Sequence, residues 1–352
     1  MSTFVGLERE HPDGPVARAF GERMRALEDA TLSPLATRSY PAVRARKEPD
    51  CGLRTPFQRD RDRIVHSKAF RRLRDKTQVF VAPSGDHYRT RLTHTLEVTQ
   101  VSRTVGRALR LNEDLVEAIG VGHDLGHTPF GHIGEDALDR CLAERFGAGH
   151  GFKHNEHSLR VVDVLERDGR GLNLTLPVRD GILSHSGRAA PPATLEGAIV
   201  RLVDRIAYIN HDIDDAVRAG VITAADLPAG PIAVLGDTGT ARIDALVHDL
   251  VETSARAGEI VQGDDAGPAM ADLRQFMFDR VYLGPEATRE HRKIELVITT
   301  LFDYYCEHPD EIPASIPPGE LSRRVTDYLA GMTDRFCIRT FEQISVPVAF
   351  TP

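Results

Sequence analysis

The chain has 352 residues, of which 41% are hydrophobic and 27% charged, a balance typical of a globular protein with a sizeable core. No apolar run reaches the ~18 residues that a bilayer-spanning helix needs, and the N-terminus lacks the basic start and apolar block of a signal peptide. The four cysteines lie far apart without a CxxC pair, which disfavours a disulfide scaffold or a thiolate zinc site. We therefore expect a cytoplasmic protein that contacts no membrane.

The net charge of −8 is unevenly distributed along the chain. Residues 54–76 hold nine Lys and Arg against three Asp, a local charge of +6 that leaves −14 for the rest. A solvated helix face is the ordinary explanation for such a basic segment. A polyphosphate substrate, an anionic effector, nucleic acid and an acidic neighbouring subunit are the alternatives.

The predicted elements begin with a polar, proline-rich stretch, residues 1–53, which we expect to be a weakly ordered N-terminal arm. The pattern is then helical from about residue 58 to 220. An apolar stripe over about 90–109 predicts a helix with His94 on its buried face. Asn112 is typical of the N-cap of a following helix.

The pattern after Asn112 predicts several more helices. Gly and Pro residues end the helix that follows Asn112, and another helix is expected over 135–146. A long helix is predicted over 195–219, ended by Gly220. After a loose stretch at 221–240, helical patterns lie near 241–254, 267–281, 286–307 and 319–333. The sequence thus predicts an all-α protein, with a core over residues 54–220 and a helical region over residues 221–352.

Histidines and carboxylates concentrate where two of these helices meet. His123 and Asp124 end an apolar helical stripe and open the segment HDLGHTPFGHIGE, residues 123–135. His94 lies on the buried face of the preceding helix, and Asp204 lies in the middle of the long helix. Two imidazoles and two carboxylates from three helices predict one divalent cation site. A hydrogen-bonded core histidine is the ordinary alternative for any one of them alone.

The kind of cation follows from the kind of ligand. Nitrogen and oxygen donors without a thiolate suit Mg²⁺ or Mn²⁺, and Fe²⁺ or Co²⁺ are also compatible. An ion held in this way can polarise a phosphate oxygen and lower the pKa of water from ~15.7 toward 7.

Five segments in fixed order resemble the deoxyguanosine triphosphate triphosphohydrolase-like proteins, which belong to the HD-domain metal-dependent phosphohydrolases. They are RDRIVHSKAFRRLRDKTQVF (61–80), GDHYRTRLTHTLEV (85–98), EAIGVGHDLGHTPFGHIGE (117–135), GFKHNEHSLRVV (151–162) and VRLVDRIAYINHDIDDAVRAG (200–220). The resemblance implies an HD-domain helical bundle over about 90–215 with a helical C-terminal extension. It also implies hydrolysis of dGTP, or of deoxynucleoside triphosphates generally, to deoxynucleoside and triphosphate by water attack at the α-phosphate.

The same resemblance assigns roles to residues outside the cation site. His132 and Glu135 match the family's catalytic pair, in which the carboxylate orients the imidazole. His154 matches a further position at the reacting phosphates and is counted with the catalytic residues.

Substrate contacts are assigned in the same way. Arg91 and His127 match family positions at the phosphates, and arginine can hold phosphate oxygens with two parallel hydrogen bonds. Tyr208 and Asp212 resemble the family's sugar-contacting pair, in which a ring packed against C2′ excludes a 2′-hydroxyl and a carboxylate accepts from the 3′-hydroxyl.

The resemblance also bears on partners. It implies a homo-oligomer, and a nucleotide activator or single-stranded nucleic acid is then a possible partner of the basic segment 54–76. Two other functions stay open: a different HD-type nucleotide phosphohydrolase, and a nucleotide- or nucleic-acid-binding regulator with little turnover.

Overall fold

The computed structural model describes residues 14–78, 89–187, 189–282 and 284–347, with the backbone alone at 285–289. Fifteen α-helices run through these residues and no β-strand is among them, which confirms the all-α prediction. The helices are α1 (Pro15–Thr31), α2 (Pro56–Val65), α3 (Lys68–Arg72), α4 (Arg91–Ala108), α5 (Glu113–Gly122), α6 (Gly131–Phe146), α7 (His154–Arg160), α8 (Leu176–Ser184), α9 (Leu195–Arg218), α10 (Ala229–Leu235), α11 (Gly239–Ala257), α12 (Ala266–Met277), α13 (Pro285–Glu307), α14 (Leu321–Ala330) and α15 (Asp334–Ser345). Among the described helices, none is both long enough and apolar enough to cross a membrane.

The helix ends follow local side-chain chemistry. Asn112 caps α5, since its side chain accepts a hydrogen bond from the Leu115 amide. Thr194 caps α9 in the same way through the Gly197 amide. Gly220 follows the end of α9 with a φ of +73°, a left-handed conformation that glycine adopts at little cost. The predicted ends of both helices are thus confirmed.

The N-terminal segment is more ordered than its composition indicated. Residues 1–13 lie outside the described part of the chain, but Pro15–Thr31 form a helix. Beyond this helix, the backbone amide and hydroxyl of Thr37 both donate to the buried carboxylate of Glu196 in α9. The expectation of a weakly ordered arm is therefore wrong for residues 15–46, because carboxylates distant in sequence anchor a segment without a strong apolar pattern.

Two further helices differ from the prediction. α10 lies in the stretch 221–240 that was expected to be loose, and buried Pro231 and Leu235 give it a packed face. α15 follows the last predicted helix and begins at Asp334. Both are short, and each depends on packing against elements that local sequence does not reveal.

Buried apolar side chains form two clusters. The larger one draws on α2, α4, α5, α8, α9, α11 and α12, and Ile119 and Val203 are among its fully buried members. The smaller one joins α6 to the C-terminal helices α13, α14 and α15, with Phe130 and Phe302 among its members. The larger cluster runs past residue 220 to Val281, so the core and the C-terminal region share apolar packing; the domain boundary there stays a prediction.

Close packing of α4 on α5 brings their histidines together. A Cβ atom at Gly120 would lie 2.6 Å from the Thr99 hydroxyl oxygen and 3.2 Å from the Thr99 Cα. Only glycine permits this approach of the two backbones. Consequently His94, one turn into α4, faces His123 at the end of α5, with ring centroids 5.7 Å apart.

Candidate functional site

The four predicted cation ligands lie together. His94 Nε2 is 3.0 Å from Asp204 Oδ1, and His123 Nε2 is 3.8 Å from the same oxygen. His123 Nε2 is also 3.4 Å from Asp124 Oδ1. Neighbouring ligands at about 2.1 Å from an octahedral ion are about 3 Å apart, so these spacings suit a single divalent cation.

The hydrogen bonding of His123 leaves the nitrogen that faces this cluster free. Its Nδ1 is 2.7 Å from the Gly120 carbonyl oxygen, which can only accept, so Nδ1 carries the proton. Its Nε2 is buried, and no described residue is a hydrogen-bond partner of it. An imidazole held by a backbone carbonyl, with the other nitrogen bare, is the arrangement that metal-binding histidines use.

Electrostatics keep the two carboxylates charged. Burial opposes ionisation of Asp204, but the hydrogen bond from His94 and the nearby imidazoles lower its pKa to about 2. For Asp124, burial is likewise outweighed by the neighbouring imidazoles of His123 and His127 and by the charge of Arg91, which hold its pKa well below the usual range. The residues present therefore fit a divalent cation, and its identity is not fixed by them.

Arg91 lies directly beside this cluster. Its side chain is almost fully buried, and its Nη1 donates to Asp124 Oδ2 over 3.0 Å. No hydrogen-bond partner of the remaining nitrogens, Nε and Nη2, is found among the described residues. Buried donors of this kind are normally satisfied, so the guanidinium has unused capacity for anionic oxygens. His127 approaches the other oxygen of Asp124 at 3.1 Å.

His127, Glu135 and His154 form a second buried group. The ring of His127 stacks on that of His154 with centroids 3.9 Å apart. Glu135 accepts from both the backbone amide of His154, at 3.0 Å, and its ring Nδ1, at 2.7 Å. Burial opposes the charge of Glu135, but these bonds and the charge of His154 lower its pKa to about 2.

The orientation of His132 by Glu135 stays a prediction. Among the described residues no hydrogen bond joins the two side chains, and both carboxylate oxygens accept from His154. His132 lies in the first turn of α6, which begins four residues before the predicted start. Its ring is 5.4 Å from that of His127 and 5.9 Å from that of His154. The residue is exposed as a whole, yet desolvation of the ring, with the neighbouring His154 and Arg91, lowers its pKa to about 4. His132 therefore borders the group.

His185 completes the histidine group and was missed from the sequence. Its Nε2 lies 3.2 Å from Nε2 of His154, and its ring centroid lies 5.1 Å from that of His123. Burial, with the neighbouring imidazoles of His123 and His154, lowers its pKa to about 3. His185 immediately follows the short helix α8, where no apolar stripe or neighbouring acid marked it.

Tyr208 and Asp212, the predicted sugar contacts, lie one and two turns after Asp204 on α9. Arg274 Nε donates to the Tyr208 hydroxyl at 2.8 Å, and the Tyr282 hydroxyl donates to Asp212 Oδ2. Burial raises the pKa of Asp212 to about 7. Tyr282 ends a π-helical turn, Phe278–Tyr282, that continues α12. The C-terminal region thus supplies two side chains that the sequence did not point to.

The basic segment 54–76 is largely paired within the chain. Arg61 lies 2.9 Å from Glu117, and Arg54 lies 2.7 Å from Asp62. Buried Lys76 donates to two backbone carbonyls. Besides the exposed but paired Arg54, four cations of the segment are exposed: Lys68, Arg71, Arg72 and Arg74. Internal pairing thus accounts for much of the segment, and a partner at the exposed four stays a prediction.

Comparisons with known proteins agree with this geometry. Residues 91–209 match the HD domain, and residues 260–343 match the phosphohydrolase-associated domain. A deoxyguanosinetriphosphate triphosphohydrolase-like protein of Caldanaerobacter subterraneus is 52% identical over 326 residues, covering 91% of this chain and 94% of that relative. Proteins of the same description from Clostridium perfringens strain 13 and Desulfatibacillum aliphaticivorans are 50% and 44% identical, covering 86% and 90% of this chain and 90% and 95% of the relatives. The chain belongs to the deoxyguanosinetriphosphate triphosphohydrolase-like family of HD-domain phosphohydrolases.

Proposed function

We propose that the protein hydrolyses deoxynucleoside triphosphates, dGTP among them, to deoxynucleoside and intact triphosphate. The observation that carries this proposal is Arg91, a buried guanidinium with two unpartnered nitrogens beside Asp124. A phosphate group next to the cation cluster would satisfy both nitrogens with charge-assisted hydrogen bonds. His127, on the other oxygen of Asp124, borders the same space.

His94, His123, Asp124 and Asp204 would hold the divalent cation, with Mg²⁺ or Mn²⁺ preferred and Fe²⁺ or Co²⁺ compatible. When bound, it supplies positive charge that polarises the α-phosphate and makes water more acidic. In the proposed reaction the oxygen of water forms a bond to the α-phosphorus, and the bond from that phosphorus to the 5′ oxygen breaks. The leaving 5′ oxygen takes up one proton, and the water loses one.

The histidine group is suited to moving these protons. Glu135 accepts a hydrogen bond from Nδ1 of His154, which fixes the orientation of the ring. His132 borders this pair, with its ring within 6 Å of the rings of both His127 and His154. We assign to His132 a part in the proton transfer, with His154 and Glu135 as the supporting pair. Because burial lowers its pKa to about 4, its resting ring is neutral and takes up the proton lost by water before giving one to the 5′ oxygen.

Tyr208 and Asp212 support selection of a deoxyribose. Arg274 fixes the Tyr208 hydroxyl, so the ring cannot swing away from a sugar packed against it. A 2′-hydroxyl would be excluded by such a ring. Asp212 can accept a hydrogen bond from the 3′-hydroxyl, since its Oδ1 is buried without a partner.

Product analysis with matched histidine variants tests this proposal. Chelator-stripped protein receives Mn²⁺ or Mg²⁺ and each of the four deoxynucleoside triphosphates or ribonucleoside triphosphates, alone and in mixtures, and anion exchange resolves the products. We expect triphosphate from the deoxynucleotides, lost in His123→Ala and His132→Ala. His248→Ala is the control, because this histidine also begins a His-Asp pair but lies exposed on α11. It should keep full turnover.

Other outcomes select the other functions. Orthophosphate or pyrophosphate as product would move the protein to a different HD-type phosphohydrolase. Nucleotide binding without hydrolysis under any metal would make it a regulator. Turnover only in mixtures would support the predicted nucleotide activator, and light scattering of the same samples would test the predicted homo-oligomer.

A further inference from the structure

The turn that leads into α6 has an unusual backbone. Phe130 adopts a φ of +62° and is followed by Gly131 at +60°. A bulky residue other than glycine rarely occupies this left-handed region, and it does so where the surroundings impose it. The turn directly precedes His132 and ends four residues before Glu135. Its shape therefore decides where both side chains lie.

A carboxylate from the far end of the chain holds this turn. Asp334, the first residue of α15, is only 2% exposed. Its Oδ1 accepts from the Phe130 amide at 3.0 Å. Its Oδ2 accepts from the amide and the hydroxyl of Thr77, at 3.0 and 2.6 Å. The buried carboxylate thus ties the turn to a segment that precedes α4.

Lys76, next to Thr77, makes a parallel connection. Its ammonium group, buried with the rest of the side chain, donates to the carbonyl oxygens of His127 and Ala330. Its own carbonyl oxygen accepts from the amide of Arg91 at 3.0 Å. The segment formed by Lys76 and Thr77 therefore contacts the start of α4, the turn before α6 and the C-terminal helices.

We propose that Asp334 is a positioning residue for the turn at Phe130 and Gly131. Lys76 stabilises the same connection between this turn, the start of α4 and the C-terminal helices. The C-terminal region thereby completes the active site without touching substrate or cation at this point. The inference rests on the proposed function, because it gives the turn a catalytic task. Phe130 adds an apolar anchor, since its ring belongs to the cluster formed with α13, α14 and α15.

The test compares two buried carboxylates of the same region. Asp334→Asn replaces one acceptor oxygen by an amide that faces either the Phe130 or the Thr77 amide. Asp327→Asn is the matched control: Asp327 is equally buried, on α14, and binds Arg160 instead of the turn. Both variants should lose stability. We expect a kcat at least about tenfold lower in Asp334→Asn alone, with KM and Mn²⁺ affinity changed less than about threefold.

A second readout does not depend on turnover. Hydrogen exchange of peptides covering residues 126–134 should be at least about tenfold faster in Asp334→Asn and unchanged in Asp327→Asn. If Asp334→Asn does not fold, Thr77→Val removes a single donor to the carboxylate and should lower kcat about threefold. Equal kcat losses in both Asn variants, or unchanged exchange of the turn, would overturn the inference. If exchange is faster in Asp334→Asn but the wild type shows no turnover, the proposed function is contradicted. The role of Asp334 in holding the turn is then still supported.

Discussion

Replacing Asp212 by Asn should make the protein more stable at alkaline pH. Asp212 is buried on α9 and accepts a hydrogen bond from Tyr282. Burial raises its pKa from 3.8 to about 7. Between these two values the folded state holds a proton that the unfolded chain releases, so stability falls as the pH rises.

The size of the effect follows from the shift. One pKa unit corresponds to about 1.4 kcal/mol, so a shift of about three units costs the wild type about 4 kcal/mol once the pH exceeds 7. Asn cannot ionise and avoids this cost. We expect Asp212→Asn to gain about 4 kcal/mol at pH 8 and almost nothing at pH 4, while it loses turnover.

Urea unfolding of chelator-treated protein at pH 4, 6 and 8 measures this difference. Asp226→Asn is the control with the opposite sign, because hydrogen bonds from the Thr223 backbone and side chain lower the pKa of Asp226. That variant should be no more stable than the wild type at pH 8. If Asp212→Asn is no more stable than the wild type at pH 8, the argument that ionisation of this buried carboxyl costs stability is refuted.

Three further predictions concern the metal, the histidine group and the packing of α7. Chelation should lower the thermal midpoint of the wild type and leave that of His123→Ala unchanged, and an equal fall in both would contradict the assigned ligand. Glu135→Gln should lower kcat about ten- to a hundredfold, since the amide cannot hold the same tautomer of His154; unchanged kcat in steady-state assays would remove Glu135 from the mechanism. Gly126→Ala should lower the free energy of unfolding, measured in urea, by about 3 kcal/mol, because its Cβ would lie 2.1 Å from the Ser158 amide nitrogen. A Cβ at Gly149 would have no described atom within 4 Å, so Gly149→Ala should leave stability unchanged.

The grouping of the four predicted cation ligands could be predicted from the sequence because local signals mark them. His94 and His123 lie on apolar stripes, and Asp204 lies on a helix whose other polar positions carry short carboxylates and a tyrosine. Helical periodicity fixes which face such residues share. The structure confirms that these faces meet, with ligand atoms 3.0 to 3.8 Å apart.

The rest of the site depends on contacts between distant parts of the chain. The family resemblance paired Glu135 with His132, whereas the start of α7 offers Glu135 a backbone amide and a ring nitrogen together. Tyr282 and Asp334 reach the site from 70 and 204 residues away. Neither lies in a local pattern that would distinguish it from an ordinary polar residue. Tertiary packing brings these residues to the site, and the local sequence around each of them does not reveal which distant residues it will contact.

Hydrolysis in ¹⁸O-labelled water tests the central proposal most directly. Wild-type protein with Mn²⁺ and dGTP would react to completion, and mass spectrometry would follow both products. Attack of water at the α-phosphorus predicts triphosphate with one ¹⁸O atom and deoxyguanosine with none. Label in the deoxyguanosine, or labelled orthophosphate or pyrophosphate in place of triphosphate, would contradict the proposed reaction.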